Sequence, residues 1–195
     1  MSIVITVCLT FVFSVLKTSL AEWCLHKYFM HTRVRWFIYP FRAHTLVHHH
    51  EYKADASYHW RDQRRDLIPM AWWNGAVIVL IVMIPFGIIA TLTGQFVGSA
   101  EGWAMLATDL CVSAGYYGIY EGLHWCMHVP RARWIERTRI FRVINALHLL
   151  HHKYMGYNFN VVLPFADWLF GTLLVRAKRS FNQACGEAVP NVQPN

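Results

Sequence analysis

Apolar residues along this chain come in three long runs, not in the short stripes of a soluble helix. IVITVCLTFVFSVL (3–16) continues through Lys17 into SLAEWCLH and predicts a first helix from about residue 3 to residue 31. AWWNGAVIVLIVMIPFGIIATLTG (71–94) is long enough to cross a bilayer, which takes about 20 apolar residues. WAMLATDLCVSAGYYGIY (103–120) is a further, less apolar crossing, reached through the glycine-rich turn TGQFVGSAEG (93–102). The pattern predicts an all-α integral membrane protein of about three to four transmembrane helices. Its polar segments, rich in histidine, are expected to form a helical cap on one side.

Composition and charge add an orientation. The 195 residues are 55% hydrophobic, and only 15% are charged, against about 25% in soluble proteins. Length allows one domain, taken as 1–181, followed by a tail over 182–195 (NQACGEAVPNVQPN) expected to be disordered. The first apolar run lacks the basic leader and small-residue cleavage site of a signal peptide, which favours a retained helix. Residues 67–120 hold no Lys or Arg, and every basic residue except Lys17 lies in 27–65 or 131–179. The positive-inside rule therefore puts both basic segments in the cytoplasm, with the N-terminus outside. The membrane expected is a bacterial inner membrane or the ER. A net charge of +7 suits anionic headgroups, and basic residues that flank spans argue against nucleic acid. The five cysteines are scattered without a C-x-x-C and read as small apolar residues.

The 12 histidines are not scattered, and none lies between His59 and His124. At about 100° per residue, positions i, i+3 and i+4 of a helix share a face. His124 and His128 are i and i+4. His148, His151 and His152 are i, i+3 and i+4, and His44 and His48 repeat the i, i+4 spacing. Each of these sets is expected to aim at one point, with His49 swung about 100° further round. His26 and His31, at i and i+5, fit less well: either they serve different metals or the helix loosens where it leaves the membrane. Neutral imidazole is the commonest metal ligand, and histidine-only sets suit Fe, Zn, Cu or Ni. Two metals with four or five nitrogen ligands each would use eight to ten of these side chains, and the candidate set is His26, His31, His44, His48, His49, His124, His128, His148, His151 and His152. His59 stands alone. Cys126, at i+2 from His124, points away from its face.

Acidic side chains lie near these groups. Glu22 precedes His26 by four, Glu121 precedes His124 by three, and Glu51 follows the HHH run. Each is a candidate to accept the far N–H of a ligating imidazole and fix its tautomer. Glu121 also forms an E-x-x-H pair with His124, the ligand pair of di-iron carboxylate bundles. An ordinary salt bridge remains open for all three. Trp72, Trp73, Tyr116, Tyr117 and Tyr120 are candidates to line a path for a lipid, or to anchor and pack the helices at the interface.

HKYFMH, HTLVHH, HWCMH and HLLHH, in this order around a membrane hairpin, resemble the histidine boxes of the fatty acid hydroxylase superfamily. That group includes fatty acid and sphingolipid hydroxylases, sterol desaturases and carotenoid hydroxylases. NFNVVLPFADWLFGT (158–172) resembles the stretch after the last box in many members, so that Asn158 and Asp167 join the second-shell candidates. A helix cap near Pro164 is the plain reading of Asp167. The second box departs from the commoner H-x-x-H-H, and His49 and His50 compete for one place. His49 is preferred because His44 and His48 then stack.

The resemblance implies a non-haem centre of two iron ions, O2 as oxidant, and electrons from a cytochrome b5 or ferredoxin system with its reductase. The expected activity is hydroxylation of a fatty acyl, sterol or carotenoid lipid. Desaturation begins with the same hydrogen abstraction. Zinc has no redox chemistry of its own, although it could occupy the site in a purified sample. A haem carrier would need paired histidines on facing spans, and 67–120 has none. A metal transporter would want polar ligands within the spans, where only Asp109 and Glu101 stand.

Overall fold

The computed structural model describes residues 3–59, 71, 73–92, 94 and 99–176. The tail expected over 182–195, Trp72 and half of the turn at 93–102 lie outside the described residues. Helices dominate: α1 (Ile3–Leu25), α2 (Tyr39–Phe41), α3 (His49–Glu51), α4 (Asn74–Leu92), α5 (Ala100–His128), α6 (Arg139–Lys153) and α7 (Phe165–Leu169). Two wider π-helical segments interrupt this order, π1 (His26–Met30) directly after α1 and π2 (Arg42–His48) between α2 and α3. No strand occurs among the described residues.

The polarity of α1 is turned inside out. Its buried positions are Thr6, Thr10, Ser14, Lys17, Thr18, Ser19 and Trp23. Val4, Ile5, Leu9, Phe11, Val12 and Phe13 are exposed. In water that arrangement would be unfavourable, because apolar surface is driven inward. In lipid it is the stable one, since the tails are as apolar as the exposed side chains. Two described helices are long and apolar enough to cross a membrane, Ile3–Met30 and Asn74–Leu92. The family of long helices is completed by α5, whose 29 residues span about 43 Å.

α5 packs against both α1 and α4. Lys17 pairs with Asp109, and Glu22 accepts from the Tyr116 hydroxyl, so residue numbers rise together along α1 and α5. The two helices are therefore parallel, and both deliver their histidines at the same end. Asp109 is fully buried and is held by Lys17 Nζ at 2.8 Å and Ser14 Oγ at 2.6 Å. An isolated charge there would be expensive, and this pairing makes it tolerable. Close contact between α4 and α5 depends on Gly75, where an added Cβ would stand 2.5 Å from the Tyr117 ring.

Beyond the long helices, the chain folds back over their histidine-bearing end. Thr138 caps α6 by accepting from the Phe141 amide. Phe141 and Ile144 of α6 pack with Tyr58, Met127 and Val161 in one apolar cluster. A second cluster joins Trp23 of α1 to Phe159 and Ala166.

Asp109→Ala is expected to leave Lys17 buried and unpaired and to cost about 3–5 kcal/mol. The double variant Lys17→Met, Asp109→Leu should recover most of that loss. Thermal unfolding of the purified variants in detergent measures both.

Candidate metal centre

Two groups of five histidines converge at this end of the molecule. His26, His31, His44, His49 and His151 form one; His48, His124, His128, His148 and His152 form the other. Within each group the ligand nitrogens all lie within 4.8 Å of one another. The groups abut: the His49 and His152 ring centroids are 4.3 Å apart.

The π segments explain the first group. A π turn closes an i→i+5 hydrogen bond, which stacks residues five apart. The His31 amide donates to His26 O at 3.0 Å, and the His49 amide donates to His44 O. Both five-residue pairs therefore point to one place. The loosening considered for His26 and His31 is this π turn. It also overturns the expectation that His44 and His48 aim together: π2 sends His44 to the first group and His48 to the second. α6 divides in the same way. His148 and His152, one turn apart, enter the second group, and His151 enters the first, so these three do not share a point as their spacing suggested. His124 and His128 do stay together, on an unbroken α5.

Backbone carbonyls set the tautomers. A carbonyl oxygen only accepts, so the ring nitrogen facing it carries the proton. His128 Nδ1 donates to Tyr58 O at 2.8 Å and His151 Nδ1 to Tyr157 O at 2.7 Å. His26 Nδ1 donates to Phe159 O, and His152 Nδ1 to Tyr52 O. In a neutral ring this leaves Nε2 with a bare lone pair. Those lone pairs face other Nε2 atoms: His128 and His152 stand 3.2 and 3.1 Å from His148 Nε2, and His151 stands 3.2 Å from His49 Nε2. One proton on a shared partner cannot satisfy two such neighbours.

A cation can. Imidazole nitrogens bound at about 2.1 Å and a right angle lie about 3.0 Å apart. The Nε2 separations of 2.8 Å for His26–His44 and 3.0 Å for His31–His151 fall around that value. His48, His49 and His148 also keep buried Nδ1 atoms without a partner, a cost that a cation at their inner nitrogens would offset. By chemistry and spacing, both groups fit a metal ion.

Burial keeps the rings neutral and therefore able to bind. His44, His48, His148 and His152 sit well below the ordinary imidazole pKa because burial penalises charge and neighbouring imidazoles reinforce it. His31 falls to about 2 for the same reasons. His151 falls to about 4, its loss moderated by the Tyr157 carbonyl.

The remaining candidates take other places. His50 is exposed and lies 4.0 Å from Glu51, so His49 occupies the contested position. His59 Nδ1 pairs with Met127 O, outside both groups. Glu22 does not accept from an imidazole as expected. Its carboxylate accepts from Tyr116, from Asn160 Nδ2 at 2.9 Å and from the Val161 amide at 2.6 Å. Glu121 accepts from Tyr117 Oη at 2.7 Å and belongs to neither group.

Asp167, fully buried, accepts from the Phe159 amide at 3.0 Å, the Asn160 amide at 2.7 Å and Thr172 Oγ1 at 2.6 Å. It thereby fixes the backbone whose Phe159 carbonyl holds His26, one step further from the site than expected. Asn158 adopts φ 54°, a left-handed conformation that asparagine tolerates. Its side chain ties Leu147 O to both Leu174 O and the Leu174 amide. The sequence reading missed Asn160 and the four carbonyls. A backbone carbonyl leaves no trace in residue type, whereas Asn160 stood two residues from a recognised candidate.

Tyr116, Tyr117 and Tyr120 line a cavity between α1, α4 and α5 that ends at His26. Trp73 stacks on Tyr39 instead, with ring centroids 5.5 Å apart.

The family model described as fatty acid hydroxylase matches residues 11–172. No curated protein and no solved structure matches the chain.

Folded-state pKa values below the ordinary 6.5 fix the pH dependence of the metal-free protein. The unfolded chain binds the extra protons, so stability is full above about pH 6.5 and falls as the pH drops, at about 1.4 kcal/mol per pH unit for each proton. For His151 the window runs from 6.5 down to about 4. Denaturant unfolding in detergent between about pH 7.5 and pH 5.5 should show a falling midpoint as several imidazoles charge together.

Proposed function

This chain belongs to the fatty acid hydroxylase family, and we propose that it hydroxylates a lipid with O2 at a centre of two iron ions. The observation that carries this reading is the pair of abutting five-histidine groups, the first of which meets an apolar cavity through His26. Iron bound there would supply the activation of O2 that an unactivated C–H bond requires. The overall reaction balances when the lipid C–H, O2, two electrons and two protons give the hydroxylated lipid and water. A cytochrome b5 or ferredoxin system with its reductase would supply the electrons.

The chain's own residues do the positioning. His26, His31, His44, His49 and His151 would hold one ion, and His48, His124, His128, His148 and His152 the other. The carbonyls of Tyr52, Tyr58, Tyr157 and Phe159 hold the four rings they contact in the binding tautomer. Leu25, Met30, Ile78, Val79 and Val82 give the cavity an apolar wall, which favours alkyl groups over water. With α5 as a third crossing, the basic residues that flank the histidines support a cytoplasmic position for the site.

Lipids from cells grown under oxygen-18 gas, with and without the protein, test this reading. Expression should yield a lipid carrying one labelled hydroxyl oxygen, and the purified protein should contain about two irons per chain. His148→Ala should reduce the product by about 100-fold or more and lower the iron content. Labelled product undiminished by His148→Ala, or no labelled product at all, defeats the proposal.

A further inference from the structure

Four buried side-chain polar atoms among the described residues have no hydrogen-bond partner. Three are nitrogens of His48, His49 and His148; the fourth is Ser113 Oγ. Ser113 is 2% exposed and faces the cavity that ends at His26. A hydroxyl buried in apolar surroundings without a partner is costly, and alanine would avoid that cost at this position.

Three hydroxyls that line the same cavity spend their protons elsewhere. Thr18 Oγ1 donates to Ser14 O at 2.7 Å, Tyr116 Oη to Glu22 at 2.7 Å, and Tyr117 Oη to Glu121 at 2.7 Å. Glu22 accepts in addition from Asn160 and Val161. The three hydroxyl oxygens keep acceptor lone pairs, so the partner missing from Ser113 is supplied by whatever enters the cavity, a ligand oxygen or a water that bridges to these hydroxyls. Ser113 stands eleven residues before His124 on the continuous α5, about 16 Å of helix rise.

We infer that Ser113 determines substrate specificity: the lipid that fills the cavity bears a keto or hydroxyl oxygen that hydrogen-bonds to Ser113 Oγ, remote from the histidine end. A plain hydrocarbon chain fills the same space but leaves this hydroxyl unmet. The substrate class is thus an already oxygenated lipid, and the reaction that supplies it is an earlier oxidation or hydration of the chain. The occupant's role as substrate rests on the hydroxylase reading; the hydrogen bond itself does not.

Equilibrium binding to the purified full-length protein tests this without turnover. The probes are octadecanoate and the set of octadecanoates with one keto group moved along the chain. Wild type should bind at least one keto isomer about three- to tenfold more tightly than octadecanoate. Ser113→Ala should erase that preference while leaving octadecanoate affinity unchanged. Ser113→Thr, which keeps the hydroxyl, should retain it. The inference falls if wild type prefers no keto isomer, or if the preference survives in Ser113→Ala. Because binding is read without O2, a keto preference alongside absent labelled product would sink the hydroxylase reading alone.

Discussion

A neutral imidazole has one proton, and where that proton goes decides what the other nitrogen can do. In His26, His128, His151 and His152 a main-chain carbonyl takes it. Every one of these rings must then present a lone pair inward, towards other nitrogens about 3 Å away. His148 Nε2 faces two of them, His128 and His152, and one proton there cannot serve both, while charging the rings is opposed by burial. The rest of the architecture serves this constraint. α1 and α5 run parallel so that both end at the histidines. α6 returns across them, and residues 157–174 fold back to place two of the four carbonyls.

The means of support differ from those the sequence suggests. Carboxylates near the boxes invite a direct role in orienting imidazoles, yet Glu22 and Asp167 act on the backbone instead. Asp167 holds the amides of Phe159 and Asn160, and Glu22 holds Asn160 and Val161. The acids thus stabilise the segment that supplies a carbonyl. This keeps negative charge one layer away from the rings.

Much of this was readable from residue order. The apolar runs located α4 and the starts of α1 and α5 to within a few residues, because a lipid-facing helix cannot hide its composition, whereas α5 continues eight residues past the end of its run at 120. The ten histidines that converge are the ten named from the boxes, His26 and His31 among them although their spacing fitted a helix less well. Their division between two groups was not readable. That division depends on i→i+5 turns at His26–His31 and His44–His49, and helical spacing arguments assume i→i+4. No residue in KYFM or TLVH announces a wider turn. The buried Lys17–Asp109 pair was also hidden, since sequence shows two charges in greasy segments but not that they meet. The exposed apolar face of α1 and its threonine- and serine-rich interior make sense together once lipid is the solvent.

The π turns tie backbone shape to residue count. Each contains one residue more than an ordinary helix would use for the same turn. If either closed into regular α-geometry with all its residues kept, the second histidine of the pair would stand about 140° from the first and leave the set of five. Removing one residue between them as well would bring the pair back to i, i+4, a face that an α-helix already shares. The wide turn and the extra residue are therefore coupled, and a change in one is tolerated by the pair only together with a change in the other.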